Sequence, residues 1–226
     1  MANSYALLTS LNGLAAGLFL MSSFGLAATR QMQGCLRFYI IQSICLVVSA
    51  LLLAFGLHAP DLLAVAVLDA VIKPIVIPAL LRRTVPEAIF RRREIDQVLN
   101  IPSSLLIALA LTLLAYFLSG YLPPAPGSLA SINLPVGLAG LFIGVYTLTV
   151  RREAVPQLIG IFGIENGALL CGFAIASGLP LVIEMVFPFD MLIIALVIGI
   201  LTRMTQERVG TTEVGGFTRL REGAGK

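Results

Sequence analysis

Five ionisable residues stand inside runs that are otherwise apolar. Asp69 and Lys73 lie in LLAVAVLDAVIKPIVIPALL, Glu165 in GIFGIENGALL, and Glu184 and Asp190 in LVIEMVFPFDMLIIALVIGILT. Even on the lenient insertion scale, an ionised side chain at the centre of a bilayer costs about 2.5 to 3.5 kcal/mol, so these groups are expected to face a bundle interior, water or one another. Carboxyls and a lysine in low dielectric exchange protons readily, which is the chemistry of an ion relay rather than of bond cleavage. Asp69 and Lys73 are four residues apart with the acid N-terminal, the favourable order for a pair on one helix face. That spacing fits a self-neutralising structural pair and a proton-exchanging one equally. Pro74 and Pro78 remove two backbone donors from the same helix and free the carbonyls of Ala70 and Pro74, which favours the second. Around Glu165, Gly160, Gly163 and Gly167 permit close helix approach and Asn166 offers a hydrogen-bonding amide. Glu184 and Asp190 flank Pro188, which supplies a kink.

Depth is legible from the nearest arginine on each helix. Asp69 lies thirteen residues before Arg82, Glu165 thirteen after Arg152 and Asp190 thirteen before Arg203. Each interval is roughly 20 Å at 1.5 Å per residue, so the three carboxylates are expected in one layer near the membrane midplane. Lys73 should lie one turn nearer the arginines, and Glu184 nearer the opposite surface.

The elements that hold these residues follow from composition. Of 226 residues, 58% are hydrophobic and 12% charged, with a mean hydropathy of +0.97, which excludes water-soluble domains, disordered segments and disulfide scaffolds. Seven stretches approach the roughly 20 residues a spanning helix needs: 5–28, 38–57, 62–81, 99–122, 133–150, 156–177 and 181–202. The expected fold is therefore an all-α polytopic helix bundle forming one integral membrane domain over 1–226. Four helices fall within 1–132 and three within 133–204, and residues 205–226 form a tail. The opening MANSYALLTSLNGL lacks the basic region and cleavage site of a removable signal peptide, so the first run is expected to stay in the membrane.

Fourteen of the fifteen Lys and Arg residues fall in alternate connectors and the tail, and only Lys73 falls in a span. The positive-inside bias then places the N-terminus outside and the C-terminus in the cytoplasm, which an odd number of spans satisfies. The connector TVPEAIFRRREIDQ is the one long charged stretch within the bundle, fit to contact a soluble partner or simply to face solvent. Cys35, Cys45 and Cys171 read as small buried hydrophobes, and His58 as an exposed residue at the outer boundary. No metal set, nucleotide loop, haem-ligating histidine pair or hydrolytic constellation is visible, and nothing implies nucleic acid. No catalytic or metal-ligating residue is expected in this chain.

The segments VRREAVPQLIGIFGIENGALL and IEMVFPFDMLIIALVIGILTRM resemble the last two helices of the hydrogenase 4 component E family, and DAVIKPIVIPALLRR is similar to its lysine-and-proline helix. These are membrane subunits of formate hydrogenlyase-type group 4 NiFe hydrogenase complexes. The C-terminal third also resembles the K subunit of respiratory complex I and the C subunit of multi-subunit cation/proton antiporters. Asp190 stands where K-like subunits carry the carboxylate of their last helix. Phe162 stands where they carry a glutamate, with Glu165 three residues further on.

The resemblance implies a cofactor-free, non-catalytic subunit of the bacterial inner membrane that contributes to redox-coupled proton or sodium translocation. Glu165 and Asp190 would be relay carboxylates, Asp69 and Lys73 a charge-switching pair, and Glu184 a group toward the outer exit. The implied neighbours are antiporter-like and complex I H-like membrane subunits, with the NiFe site and Fe–S clusters confined to soluble partners. An antiporter subunit without a redox module and a purely structural scaffold are the two alternatives.

Overall fold

The computed structural model describes residues 2–85, 99–122, 131–175 and 181–209, with side chains described from Tyr5 onward except at 181–188 and 205–209. Residues 86–98 of the charged connector, 123–130, 176–180 and the tail beyond Val209 lie outside these. Among the described residues there are helices and no strands. The chain begins with α1 (Ala2–Ala28) and α2 (Met32–Leu57). His58 ends α2 in the left-handed region at φ 52°, with its N–H on the carbonyl of Ala54. Pro60, whose fixed φ suits a first helical position, opens α3 (Pro60–Val71).

Pro74 offers no N–H to α3, and the helix answers by widening into a π turn, Ile72–Val76, where the Ile77 N–H reaches back five residues to Ile72. α-Helical geometry resumes in α4 (Ile77–Thr84), so 60–84 form one continuous rod. There follow α5 (Ile101–Ser119), α6 (Asn133–Val150), α7 (Ala154–Ile175) and α8 (Leu181–Val209).

Six of these rods are long and apolar enough to cross a membrane: Tyr5–Ala28, Met32–Leu57, Pro60–Thr84, Ile101–Ser119, Asn133–Val150 and Ala154–Ile175. The protein is a multi-pass helical membrane protein. Its outward face fits a lipid surround, with Leu106, Leu113 and Phe117 of α5 all exposed. The seventh expected stretch coincides with the 29-residue α8, which passes through Pro188 and extends beyond the expected end at 202.

α6 and α7 pack through glycine. A Cβ on Gly137 would lie 2.6 Å from the backbone nitrogen of Cys171, and one on Gly144 equally close to that of Ile164. From the other side, a Cβ on Gly167 would strike the backbone of Leu141 and lie 2.7 Å from the Gly137 carbonyl oxygen. The close approach expected of Gly160, Gly163 and Gly167 is therefore met: a Cβ on Gly160 would lie 2.9 Å from the Leu148 nitrogen, and Gly163 sits against Gly144 as well as Leu26 and Gln42.

Three apolar clusters fill the interior: one, around Ala27, Ala108 and Ile143, joins α1, α5 and α6, and the other two are stacked along the bundle. Of the stacked two, Phe19, Leu46, Ala66 and Leu170 belong to one; Leu26, Tyr39, Ile72 and Phe162 belong to the other. Four helices pass from cluster to cluster, and each carries polar residues at the crossing: Ser22 and Ser23 on α1, Gln42 and Ser43 on α2, Asp69 on α3, Glu165 and Asn166 on α7. Two of the three carboxylates expected in one layer, Asp69 and Glu165, thus lie in an interior stratum that neutral polar residues share.

A separate polar ring ties α1, α2 and the start of α6. Asn12 donates to Asn133 at 3.0 Å, Asn133 to Ser49 at 2.9 Å and Ser49 back to Asn12 at 2.6 Å, all three being buried. Asn133→Leu should remove the bonds it makes with Asn12 Nδ2 and Ser49 Oγ, leaving the Ser49–Asn12 bond, and lower stability by about 1 to 3 kcal/mol. Denaturant titration of helical circular dichroism in detergent measures this.

Candidate functional site

Lys73 projects from the π turn into the stratum between the two clusters and is fully buried. Its Nζ lies 3.6 Å from Asp69 Oδ2 on the same rod and 3.1 Å from Glu165 Oε1 on α7. It also donates a hydrogen bond to Asn166 Oδ1 at 3.1 Å. The expected i, i+4 pair is present, and a second carboxylate from a distant part of the chain joins it.

The polar chain continues beyond the ion pairs. Asn166 Nδ2 donates to Ser43 Oγ at 3.1 Å and to Gln42 Oε1 at 3.4 Å; Gln42 Nε2 donates to Ser23 Oγ at 2.8 Å, and Ser23 to the Phe19 carbonyl at 3.0 Å. One connected network thus joins α1, α2, α3 and α7 at a single level. The side-chain carbonyl that meets Lys73 belongs to an amide held on its other side by α2, which fixes its orientation.

Charge counting defines what the site can do. One ammonium faces two carboxylates, so full ionisation leaves one uncompensated negative charge in an interior where that is expensive. The cluster is neutral when it holds one further proton, or a second cation. Asp69 Oδ1 and Glu165 Oε1 are both buried without a hydrogen-bond donor, but the Glu165 side chain keeps 13% of its surface exposed against 3% for Asp69. Glu165 is consequently the member through which a proton could enter or leave. Phe162, at the position where K-like subunits carry glutamate, is fully buried against Tyr39, ring centroids 5.4 Å apart.

Asp190 departs from the expectation that every intramembrane charge turns inward. α8 buries Met191, Ala195 and Thr202 against the rest of the bundle. Asp190 precedes Met191, about 100° around the helix, and falls on the exposed flank. Its side chain is thus turned away from the interior in which Asp69 and Glu165 meet Lys73. The side chains of Glu184 and Pro188 lie outside the described residues. Pro74 and Pro78 both belong to the rod that presents Lys73, and Pro78 is buried in the first turn of α4.

Arg151, one of the connector arginines, is buried to 1% and donates through Nη2 to the carbonyls of Leu26 and Thr29, closing the end of α1. Backbone geometry separates it from its neighbour: at ψ 138° the chain is extended here, so Arg151 turns inward while Arg152 stays exposed. Cys35, Cys45 and Cys171 are free and buried, and His58 is exposed, as expected.

Sequence reasoning missed Gln42, Ser43 and Ser23. The available signal was a polar dipeptide in the middle of the α2 run, one turn from Tyr39. It also missed Asn12, Ser49 and Asn133, each a single uncharged residue in a separate run.

Comparison with known proteins gives one full-length likeness. The chain is 27% identical over 208 residues to the Mycobacterium tuberculosis protein named Uncharacterized protein Rv0085, an alignment covering 92% of this chain and 94% of that one. No family model matches the chain. No solved structure matches it either.

Proposed function

We propose that this chain is a cofactor-free membrane subunit of a group 4 hydrogenase-like or complex I-like oxidoreductase assembly, in which the Asp69–Lys73–Glu165 cluster relays protons or sodium ions. The observation that carries this reading is a fully buried lysine held between two carboxylates from different helices. A structural pair needs one counter-charge; the second leaves the cluster one proton short of neutrality, as a relay requires. The segments resembling component E, quoted above, are the support for the type of assembly.

In this reading α8 is the seventh span, the N-terminus is outside and the C-terminus lies in the cytoplasm of a bacterial cell. Redox events in soluble partners bias protonation of Glu165, and exposed Asp190 passes the charge to a neighbouring membrane subunit, with Glu184 toward the outer side. The NiFe site and Fe–S clusters belong to those partners. Purification of the tagged full chain in a mild detergent should bring down Fe–S or hydrogenase-like subunits together with antiporter-like ones. Recovery of antiporter subunits alone would reject the redox assignment, and recovery of the chain by itself would reject the assembly.

Within the relay, Asp190→Asn should lower ion translocation while leaving the chain's own unfolding unchanged, because Asp190 is exposed and buries no charge. Paired translocation and unfolding measurements on the same variant test this, and a destabilised chain with intact translocation would contradict it.

A further inference from the structure

Three segments meet at one corner on the arginine-bearing side of the bundle: the α1–α2 turn, the start of α5 and the α6–α7 joint. Arg30 of the turn donates Nη2 to the Leu99 carbonyl at 3.2 Å and to Asn100 Oδ1 at 3.3 Å. Asn100 immediately precedes α5, and its side chain does not cap that helix, so the positive end of a 19-residue helix is left without a side-chain acceptor. Tyr146 of α6 binds the same first turn by donating to Ser104 at 2.8 Å. Arg151, whose Nη2 holds the carbonyl of Thr29 next to Arg30, completes the corner.

The guanidinium donors are only partly used. Arg151 spends Nη2 on α1, but its Nε and Nη1 are buried and meet no acceptor; Arg30 Nε is likewise buried without one. Burial pulls the Arg151 pKa below the ordinary arginine value and Arg30 pushes in the same direction, yet arginine remains charged at any physiological pH. Among the described residues, Arg30 and Arg151 bring two guanidinium charges to this corner. Orphaned donors, paired guanidinium charges and an uncapped helix N-terminus at one place call for an acceptor that is both multivalent and negative. Water supplies acceptors without charge, and one carboxylate has too few oxygens for all the donors. The corner is also reachable, since Asn100 is exposed and Arg30 half-buried.

We propose that this corner binds a phosphate group, presented either by an anionic phospholipid at the membrane surface or as a free ion. The proposal is independent of the ion relay, whose residues lie in the interior stratum.

The test uses the full chain, delipidated in dodecyl maltoside, with thermal unfolding as the readout. Three additives are compared: phosphatidylglycerol, a diacylglycerol with the same acyl chains, and inorganic phosphate. Phosphatidylglycerol at about a hundredfold excess over its Kd should raise Tm by about 5 °C, and diacylglycerol should not. Arg30→Gln should remove most of that shift, read relative to the variant's own additive-free Tm because its bonds to Leu99 and Asn100 are lost as well. A comparable shift with inorganic phosphate identifies the site as a general phosphate site, and its absence there identifies a lipid site; either supports the proposal. Arg151→Gln opens the end of α1 and is expected to lower the basal Tm, so the judgement rests on Arg30→Gln. No shift with either phosphate source, or a full shift retained in Arg30→Gln, would overturn the proposal.

Discussion

Asp69→Asn and Glu165→Gln introduced together should cost far more stability than the two single changes combined. Either single variant leaves Lys73 with one carboxylate and the Asn166 amide, within hydrogen-bond or ion-pair reach, and should cost about 1 kcal/mol. The double variant leaves a fully buried ammonium facing only amides. Removal of the counter-charge from a buried pair costs about 3 to 5 kcal/mol, because the remaining charge is desolvated and uncompensated. The coupling between the two sites should therefore be about 1 to 3 kcal/mol, readable as a double-mutant cycle from denaturant titration in detergent. Additive effects would mean that Lys73 does not depend on these carboxylates, and the charge counting behind the relay would fail.

Gly167→Ala should be the most damaging single methyl that can be added to the bundle. The new Cβ would meet the backbone of Leu141 and the carbonyl of Gly137, and a backbone cannot rotate away as a side chain can. Overpacking of this kind costs about 1 to 3 kcal/mol, and the rigidity of both partners places Gly167 at the upper end. Gly172→Ala on the same helix and Gly17→Ala on α1 are the controls. A Cβ at either meets nothing within 4 Å, so the better helix propensity of alanine should stabilise by about 0.5 to 1 kcal/mol. Thermal unfolding of the three variants in one detergent separates the outcomes by sign. Comparable behaviour of Gly167→Ala and Gly172→Ala would rule out the close α6–α7 contact.

The charged heart of the site was legible because a charge in an apolar run is costly and must be matched. Asp69, Lys73 and Glu165 announced themselves by type, and their distances from arginines set a common level. Neutral polar residues carry no such signal. Gln42 and Ser43 lie in a run whose hydropathy scarcely registers them, and only packing of α2 against α7 reveals that they hold Asn166 in place. Asn133 stands at a span boundary, where an exposed asparagine is the ordinary expectation; its burial depends on α1 and α2 arriving at the same point.

Direction around a helix is the second thing that the sequence conceals. Asp190 and Met191 differ by about 100°, and which of them turns inward is decided by the seat of α8 on the 60–84 rod and α7. Arg151 and Arg152 are indistinguishable as sequence, and an extended residue at the end of α6 separates them. The prolines at 74 and 78 predicted lost backbone bonds on the Lys73 helix. The π turn that closes the gap at Pro74 is a choice among several repairs, and it sets the Lys73 side chain opposite α7.

The most direct test of the relay is ion translocation by membrane vesicles in which Glu165→Gln replaces the native chain, with assembly of the complex checked by co-purification and Gly172→Ala as the matched control. Glutamine keeps the size of the side chain and removes its charge and proton exchange, while Asp69 remains as the counter-charge of Lys73. The account predicts a fully assembled complex, normal translocation in Gly172→Ala and none in Glu165→Gln. An assembled Glu165→Gln complex that still translocates ions at the native rate would contradict it.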